Sequence, residues 1–260
     1  MQGLSIIIST SNHRIFNLKI PDEIINVYYV VVHQIYDREY EGELLEFMGG
    51  RKDISYVKLN YAGLSASRNF GLLKSKTKYA YIMDDDVDFN IDTIKKLVEI
   101  MDYKNIDIAT CKFKLEDGSW PKKYSDIEFN HNIFTSSKVS SIEICVNVES
   151  VRNYKVLFDE NFGLGSKYPS GEEYVFLTDC IKKKMSVSYI PVVTGIHPVI
   201  RSGDDFFSSK EKIIAKRKMI KRIFDRYGFI FIIAFWLKKF GHVFKEGDIV
   251  LFTRYILFGR

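Results

Sequence analysis

Tyr79-Ala-Tyr-Ile-Met-Asp-Asp-Asp-Val-Asp-Phe-Asn90 is the stretch around which this 260-residue chain is organised. Its first five residues are apolar and typical of a buried strand, and three carboxylates, Asp84, Asp85 and Asp86, follow at once. Neighbouring carboxylates repel, so three of them at the end of a buried strand cost free energy unless a cation lies among them. A hard divalent ion with oxygen ligands, Mg²⁺ or Mn²⁺, removes that cost. The stretch therefore predicts a metal site, although these residues could also only cap the helix that follows.

Apolar, strand-like runs alternate with helical segments along the first half of the chain. The predicted strands are Leu4–Thr10, Val27–Val32, Ile54–Leu59 and Tyr79–Met83, and the predicted helices span 63–74 and about 91–101. This alternation predicts an α/β fold with a mixed, mostly parallel sheet flanked by helices. Functional groups in such sheets lie at the carboxyl ends of strands. Thr10, His33 and the aspartates Asp84 to Asp86 all fall at predicted strand ends.

Apolar spacing assigns an inner face to each of these helices. The candidate core positions are Leu64, Phe70 and Leu73 in the first, and Ile94, Leu97, Val98 and Met101 in the second. From Ile106 onward the pattern changes. It predicts strands over 108–113, 141–148 and 187–193, a loop over 158–165, and a helix from Pro169 to about Lys184.

The composition is that of a folded globular protein, with 46% hydrophobic and 27% charged residues. The three cysteines, Cys111, Cys145 and Cys180, show no CxxC spacing. We therefore expect reduced core cysteines in a cytosolic protein, with no disulfide framework or zinc site. The first residues enter a strand without a preceding basic region, so we expect no secretory signal and a cytoplasmic location.

Charge is unevenly distributed along the chain. Residues 210–260 carry 13 basic and 4 acidic side chains, whereas the first 209 residues carry 25 basic and 29 acidic ones. A basic, apolar tail indicates contact with a membrane surface or an anionic partner. Its apolar runs, 229–237 and 249–258, are shorter than the roughly 18 to 20 residues that span a bilayer. We expect either helices that lie in the membrane interface, on the inner face of the plasma membrane, or a helical lid that packs on the body.

Two other segments and one histidine are candidates for the same site. The helix start Gly63-Leu-Ser-Ala-Ser-Arg-Asn69 offers free backbone N–H groups and Arg68 to an anion. In Ser170-Gly-Glu-Glu173, one carboxylate could take a proton from a sugar hydroxyl, or both could only complement the helix dipole. His197 could complete a metal shell with a neutral imidazole, or be a structural residue.

The order of these segments resembles the family-2 glycosyltransferases of the GT-A fold. The resemblance covers about Leu4 to Ser202 and rests on Ser5-Ile-Ile-Ile-Ser-Thr10, Gly63-Leu-Ser-Ala-Ser-Arg-Asn69, Tyr81-Ile-Met-Asp-Asp-Asp86 and Gly171-Glu-Glu173. It implies a nucleotide-sugar donor, Mn²⁺ or Mg²⁺ as cofactor, and inversion at the anomeric carbon. Together with the basic tail, it implies a glycan or lipid-linked sugar acceptor, as in bacterial surface-polysaccharide synthesis, and no nucleic-acid partner.

The resemblance also implies roles for individual residues. Asp84 and Asp86 match the ends of the family's Asp-x-Asp motif, so Asp86 would hold the metal, assisted by Asp84 and His197. Glu173 matches the usual catalytic base, with Glu172 beside it. The implied donor-binding residues are Thr10, Ser11, His33, Arg68, Asn69, Asp84 and Asp85.

Two positions depart from the family's pattern. The second strand ends in His33-Gln34, where many relatives carry an aspartate that binds the base or ribose. This departure leaves the nucleobase open, with a UDP-sugar as our first expectation. The base is a glutamate where relatives have an aspartate, which adds one methylene to its reach.

We expect a GT-A catalytic domain over residues 1–207 and a basic helical tail over 208–260. Within the domain, residues 1–110 would bind the nucleotide sugar and residues 111–207 the acceptor. Two other functions stay open from the sequence. One is a metal-dependent nucleotidyltransferase or nucleotide-sugar hydrolase that uses the same acidic cluster. The other is a non-catalytic protein that binds nucleotide sugars.

Overall fold

The structure is a computed structural model that describes residues 3–40, 50–199 and 206–259. The end of the sequence resemblance at Ser202 lies outside the described residues. Within them, nine strands form one sheet. The strands are β1 (Leu4–Ser11), β2 (Val27–Gln34), β3 (Ile54–Leu59), β4 (Tyr79–Asp84), β5 (Asp88–Phe89), β6 (Ile108–Leu115), β7 (Phe129–Asn130), β8 (Ile144–Asn147) and β9 (Val187–His197).

The strand order is β3-β2-β1-β4-β8-β6-β9-β5, with β7 paired to β9. The first four strands in this order are parallel, and β6 is parallel to β9. β8 runs antiparallel to both of its neighbours, β4 and β6. The predicted mixed, mostly parallel sheet is therefore confirmed. Since the chain moves outward from β1 to β3 and then crosses back to β4, the sheet has a switch point between β1 and β4, where α/β proteins bind their ligands.

The helices that flank this sheet are α1 (Leu64–Lys74), α2 (Ile91–Lys104), α3 (Val148–Tyr154) and α4 (Glu172–Lys182). α2 begins at Asn90, whose side chain accepts a hydrogen bond from Thr93 N, and packs its apolar side on one face of the sheet. α1, α3 and α4 contribute to the core on the other face. Alternate residues of each buried strand point to opposite faces, so Ile6 and Ile8 join the first core and Ile7 the second.

The predicted inner face of α2 is confirmed, because Ile94, Leu97, Val98 and Met101 are all buried. The prediction for α1 is wrong at Leu73, which is 66% exposed. α1 instead buries a mainly polar side that includes Ser65, Ser67 and Arg68. The spacing of hydrophobic residues fails to predict the buried side of α1, because that side packs against carboxylates and hydroxyl groups. Its buried residues are therefore polar and do not appear in a hydrophobic pattern.

The predicted strand over 141–148 is also corrected. Ser141–Glu143 forms a 3-10 turn, β8 occupies only Ile144–Asn147, and α3 begins at Val148. Asn147 caps α3 by accepting from Ser150 N, which ends the strand. The strand over 187–193 extends to His197. Cys111, Cys145 and Cys180 are buried core residues, as predicted.

The tail forms α5 (Lys210–Phe224), α6 (Gly228–Glu246) and α7 (Ile249–Thr253), followed by a π-helical turn, Arg254–Phe258. Its apolar residues build a third core that also takes in Phe162 and Val175 of the body. Arg222 of α5 forms ion pairs with Asp179 at 2.7 Å and Asp159 at 3.0 Å. The tail therefore packs on the body through α5.

The 37-residue helical stretch Lys210–Glu246 contains an 18-residue window of mean hydropathy 1.3, of which 17% is buried. By length and composition alone it could cross a membrane, which differs from the expectation that the apolar runs are too short. The expected boundary between the domain and the tail, at residue 207, stays a prediction.

Candidate active site

The acidic cluster lies at the switch point of the sheet. Ser9 of β1 is in register with Asp84 of β4, which places the carboxyl ends of the two strands side by side. Thr10 Oγ1 donates a hydrogen bond to Asp85 Oδ2 at 2.7 Å. The sequence prediction that the ends of these strands meet is confirmed. Thr10 and Asp85 are both nearly buried, so this contact lies at the base of the acidic cluster.

Arg14 was missed by the sequence analysis, and it contacts two of the three aspartates. It follows β1 in a 3-10 turn, Asn12–Asn17, and forms a close ion pair with Asp85. Its Nε donates to Asp85 Oδ2 at 3.0 Å, and its Nη2 lies 3.2 Å from Asp86 Oδ2. Burial raises the pKa of the Asp85 carboxyl, and the Thr10 and Arg14 hydrogen bonds oppose that rise. A basic residue three positions beyond the end of β1 was the signal that could have identified it.

Arg68 joins the acidic cluster to the start of α4. Its Nη2 lies 3.3 Å from Asp84 Oδ1, and its Nη1 lies 3.1 Å from Glu172 Oε1 and 3.5 Å from Glu173 Oε1. Burial alone would lower the pKa of this fully buried guanidinium. The carboxylates of Asp84, Glu173 and Glu172 outweigh burial, and the pKa is raised. Arg68 therefore organises three carboxylates from beneath the site.

The start of α1 is partly covered, and two of the N–H groups that were expected to be free for an anion, Gly63 N and Leu64 N, have partners. Gly63 N donates to Gln34 Oε1 at 2.7 Å, and Leu64 N donates to Leu164 O at 2.9 Å. Ser65 Oγ donates to Phe162 O at 2.6 Å. The loop that precedes α4 thus lies over the start of α1, where it bonds Leu64 N and Ser65 Oγ.

Asp84 has a second partner that the sequence did not reveal. Ser141 Oγ donates to Asp84 Oδ2 at 3.1 Å, from the 3-10 turn before β8. Both oxygens of Asp84 are therefore engaged, one by Arg68 and one by Ser141. No local pattern links Ser141 to Asp84, because 57 positions separate them and only the antiparallel pairing of β8 with β4 brings them together.

Glu173 and Glu172 open α4, and their environments differ. The Glu172 side chain is 6% exposed and bonded to Arg68, whereas that of Glu173 is 19% exposed. Burial raises the pKa of Glu173 to about 8, with further upward contributions from Glu172 and Asp84 and an opposing one from Arg68. A carboxyl of this kind is suited to exchange a proton near neutral pH.

The turn into α4 requires glycine. Gly171, at the N-cap, has φ +96°, and a Cβ there would lie 2.5 Å from Met219 Sδ of α5. Gly163 has φ +106°, and a Cβ there would lie 3.2 Å from Glu172 Cδ. The absence of a side chain lets the backbone pack on Met219 at Gly171 and on Glu172 at Gly163.

Three predicted donor-binding residues lie at the edge of this network or beneath it. His33 is fully buried; its Nε2 lies 2.7 Å from Asn12 O and its Nδ1 3.0 Å from Tyr56 Oη. Asn69 bonds the backbone N–H and C=O of Phe158, so it anchors the loop before α4. Ser11 is half-buried and is the last residue of β1. We expect His33 to shape the cleft through Asn12, since it has no exposed surface of its own.

His197 ends β9, next to the acidic cluster. β5 pairs antiparallel with β9, and Asp88 lies opposite Ile196. His197 follows Ile196 in β9, so it lies toward the residues that precede Asp88, which include Asp86. Its Nδ1 lies 2.7 Å from Pro198 O, which leaves Nε2 as the nitrogen for a metal.

The cluster fits a metal that is completed by a substrate. Within the described residues, no three acidic, histidine or cysteine side chains converge to hold an ion by themselves. Asp86 is 44% exposed, whereas Asp85 is 6% exposed. Mg²⁺ commonly takes one or two carboxylates and completes its shell with phosphate oxygens and water. The exposed Asp86 matches such a ligand, whereas both oxygens of Asp84 already accept hydrogen bonds, from Arg68 and Ser141.

Comparisons with known proteins were made on sequence and on fold. Residues 37–158 match the family model of Glycosyl transferase family 2. No curated protein matches the chain in sequence. Among solved structures, S. aureus TarS 1-349 is 15% identical with a TM-score of 0.61, over 86% of this chain and 66% of that chain.

Two related structures give similar values. TarS 1-349 from S. aureus in complex with UDP-GlcNAc is 14% identical, with a TM-score of 0.64, over 86% of this chain and 67% of that chain. The complex with UDP is 16% identical, with a TM-score of 0.60, over 86% of this chain and 66% of that chain. The chain thus spans about two thirds of TarS 1-349, and 40% of the longer S. aureus TarS chain.

The family match falls on the segment that carries β3, α1, β4 and the acidic cluster, and the similarity to TarS extends over most of the sheet. The same segment carries two of the four sequence motifs. Residues 37–158 thus match the Glycosyl transferase family 2, and the chain has the α/β fold of the TarS structures, a mostly parallel sheet with flanking helices.

Proposed function

We propose that this protein is a metal-dependent inverting glycosyltransferase that moves a sugar from a nucleotide-sugar donor to a glycan or lipid-linked sugar acceptor. The observation that carries the proposal is the position of Glu173. Its carboxyl, with a pKa raised to about 8, shares Arg68 with Asp84 of the acidic cluster. In this proposal, the base and the acidic cluster are thus joined through one guanidinium.

The donor is a UDP-sugar in this proposal. The family match supports a nucleotide sugar, and two of the TarS structures hold UDP-GlcNAc and UDP. Asp86, with Asp84 and His197, would hold Mn²⁺ or Mg²⁺. Such an ion would supply positive charge against the two phosphates of the departing nucleotide. Thr10 and Ser11 contact the nucleoside, and Asp85 faces the ribose.

Glu173 takes a proton from the acceptor hydroxyl at its carboxylate oxygen. The oxygen of that hydroxyl then bonds to the anomeric carbon as the bond to the nucleotide phosphate breaks on the opposite face, which inverts the configuration. Glu172 and Arg68 hold Glu173 at the start of α4. Arg68 is buried, so it acts through the carboxylates and not by touching the donor phosphates.

The tail places the enzyme on an anionic membrane surface in this proposal. Five apolar residues of α6 are exposed at spacings of three and four, which forms one continuous stripe: Ile230, Ile233, Leu237, Phe240 and Phe244. Ile232 and Val243 are buried in the tail's own core. Lys238 and Lys239 interrupt the run, and the tail carries excess positive charge. An interfacial helix with basic residues fits these features, and it would locate the protein on the inner face of the plasma membrane.

Product analysis tests the enzymatic proposal. A thermal-shift screen of nucleotide sugars with and without Mn²⁺ first identifies the donor, because a ligand of the native state raises the melting temperature. Transfer to candidate acceptors is then measured with the parent and with Glu173→Gln. We expect the variant to lose about 100-fold or more in transfer, with donor affinity nearly unchanged. Transfer at the parent rate by the variant would show that Glu173 is not the base.

The same assay separates the alternatives. Release of free sugar or sugar phosphate regardless of acceptor would favour a nucleotide-sugar hydrolase or a nucleotidyltransferase. Donor binding without any product would favour a non-catalytic protein.

Co-sedimentation with vesicles tests the membrane proposal. The parent is expected to bind phosphatidylglycerol vesicles more strongly than phosphatidylcholine vesicles, and Leu237→Glu with Phe240→Glu is expected to abolish binding. Undiminished binding by the double variant would refute the stripe as the contact. Self-association that the same variant abolishes, without vesicle binding, would assign the stripe to a second copy of the chain.

A further inference from the structure

Trp120 is an exposed aromatic residue beside two lysines of β6. It is 45% exposed. The ammonium groups of Lys112 and Lys114 lie 5.2 and 5.3 Å from the centre of its ring. The ring of Tyr124 meets the indole at 74°, with 5.5 Å between the ring centres. These contacts hold the indole at the surface, so an aromatic ring and two positive charges lie together.

Within residues 3–40, 50–199 and 206–259, two polar groups of this surface have no partner. The indole N–H of Trp120 makes no hydrogen bond, and the Lys114 ammonium has neither a hydrogen bond nor a carboxylate within 4 Å. Lys112 differs, because it is nearly buried and its Nζ lies 3.6 Å from Asp126 Oδ1. Indole N–H and ammonium groups are donors and never acceptors. A ligand with a negatively charged acceptor group is therefore complementary to this surface.

Lys112 and Lys114 extend from the face of the sheet that carries α4. Side chains alternate between the two faces along a strand. Phe113 belongs to the core on the side of α2, whereas Ile108, in step with the lysines, belongs to the core on the other side. α4 packs on that other side, and its first turn holds Glu173. The lysines and the proposed base therefore lie on one face of the sheet.

The chain before Trp120 adjoins His197. Leu115 is in register with His197, and Glu116 N donates to His197 O at 3.1 Å. Leu115 N donates to Ser119 O at 3.0 Å, which closes the turn that leads to Trp120. β6 runs in the same direction as β4, since β8 is antiparallel to both. Trp120 therefore lies at the same edge of the sheet as the acidic cluster.

The chain after Trp120 is tied to the acidic cluster through Glu143. Lys122 Nζ and Tyr124 Oη donate to the buried Glu143 carboxylate at 2.6 and 2.5 Å. Glu143 shares its 3-10 turn with Ser141, which donates to the acidic cluster. The segment that carries Trp120 is thus anchored on both sides to residues of the candidate site.

We propose that Trp120 and Lys114 form a binding site for an acceptor sugar that carries a negative charge. The inference rests on the proposed function, since it names the class of acceptor. One face of a pyranose ring consists of C–H groups and packs on an indole ring. Lys114 binds the anionic group as a compact point charge and needs no fixed fork geometry. The occupant is therefore a sugar unit of the acceptor that bears a carboxylate or a phosphate.

The indole N–H signal of Trp120 in nuclear magnetic resonance reports on this site. The chain has two tryptophans, and Trp236 donates its indole N–H to Thr253 Oγ1 in the tail, so the Trp236 signal is an internal reference. Trp120→Phe assigns the two signals. Glucuronate and glucose 6-phosphate are the charged probes, and glucose is the uncharged control. All titrations are run in saturating UDP and Mg²⁺, so that the donor's phosphate site is filled.

We expect a charged sugar to shift the Trp120 signal to saturation and to leave the Trp236 signal unchanged. Its affinity should exceed that of glucose about tenfold, as for one hydrogen bond to a charged group. Lys114→Met should lower the affinity for the charged sugar to that for glucose, whereas Lys114→Arg should keep most of it. Lys123→Met, at an exposed lysine of the same segment, is the matched control and should bind as the parent does.

Melting temperatures of the variants show whether a loss of binding reflects unfolding. Three results overturn the proposal. They are a Trp120 signal that neither charged sugar shifts, equal affinities for the charged sugars and glucose, and undiminished binding of the charged sugar by folded Lys114→Met.

The two charged probes distinguish the sources of the negative charge. Tighter binding of glucuronate assigns the site to a sugar carboxylate, and tighter binding of glucose 6-phosphate assigns it to a sugar phosphate. Equal affinities for both probes support the shared class. Inorganic phosphate that binds as tightly as glucose 6-phosphate overturns the sugar assignment, because packing of the ring on Trp120 must add affinity.

The readout is sugar binding and not sugar transfer, so the two proposals fail separately. Lys114-dependent binding without transferase activity refutes only the proposed function. Transferase activity with a Trp120 signal that no charged sugar shifts refutes only the sugar site.

Discussion

Arg68 and Glu172 are 104 positions apart in the chain, and the guanidinium Nη1 of one donates to the carboxylate Oε1 of the other at 3.1 Å. Both side chains are almost completely buried. The same guanidinium reaches Asp84 with its other terminal nitrogen. This one cation therefore fixes the distance between the end of β4, where the metal is proposed to bind, and the start of α4, where the proposed base lies.

Replacing Arg68 with methionine should be severely destabilising. Three carboxylates would lose their shared partner, and removing one member of a buried ion pair typically costs about 3–5 kcal/mol. Urea unfolding followed by circular dichroism measures the loss. Arg222→Met is the control, because Arg222 pairs with two aspartates in a half-exposed setting, where a cost of about 1 kcal/mol or less is expected. Equal costs for the two variants would contradict the buried network.

Glu173 should make folding stability depend on pH. Its pKa rises from an ordinary value near 4.5 to about 8 in the folded state, so the folded protein holds a proton that the unfolded chain loses. Stability of the parent therefore falls as pH rises between these two pKa values, by at most about 1.4 kcal/mol for each pH unit. Residue 173 cannot ionise in Glu173→Gln. The free energy of unfolding of this variant, minus that of the parent, should therefore increase from pH 5 to pH 8 and level off above pH 9.

Denaturant midpoints measured across this range provide the check. Glu99→Gln, the same substitution at an exposed site on α2, controls for the change of side chain. A constant difference between the parent and Glu173→Gln from pH 5 to pH 9 would show that the carboxyl has an ordinary pKa.

Arg14 competes with a metal for the acidic cluster, so its removal should strengthen metal binding. It pairs with Asp85 and Asp86, and its side chain is 47% exposed. Arg14→Gln should increase Mn²⁺ affinity several-fold in the absence of nucleotide, measured by the loss of the free Mn²⁺ electron paramagnetic resonance signal. Stability should fall as well, because the nearly buried Asp85 loses its cation and keeps the Thr10 hydrogen bond. Unchanged Mn²⁺ affinity would argue against Asp86 as the ligand.

Gly171 couples the tail to the site, and an added methyl group should disturb both. Gly171→Ala places a Cβ at φ +96° and 2.5 Å from Met219 Sδ, so we expect a loss of about 2–4 kcal/mol. Gly118→Ala is the matched control, since Gly118 has φ +80° but nothing within 4 Å of a Cβ, and it should cost about 1 kcal/mol. Met219→Ala removes buried apolar contacts, so it should cost stability in both backgrounds, but less with Gly171→Ala, where it relieves the clash, than with Gly118→Ala. Thermal unfolding of the four variants gives the comparison.

The local sequence pattern was sufficient to predict most strands of the sheet and part of the candidate site. The apolar runs located β1 to β4 almost to the residue, because a strand buried on both faces must be continuously hydrophobic. The parallel arrangement then brought Thr10 and Asp85 together, since the carboxyl ends of neighbouring parallel strands share one edge. Leu73 and residues 141–148 were misplaced because α1 has a polar interior face and a turn interrupts the last predicted strand.

The sequence by itself determined the acidic end of β4, the paired glutamates at the start of α4 and the basic, apolar character of the tail. Only the tertiary structure decided which basic side chain forms an ion pair with which carboxylate. Arg14 faces Asp85 and Asp86, whereas Arg68 is buried among Asp84, Glu172 and Glu173. Ser141 likewise reaches Asp84 through the pairing of β8 with β4. A side chain's type and spacing fix its local conformation, but its partner depends on contacts between segments that are far apart in the chain, and these form only as the core closes.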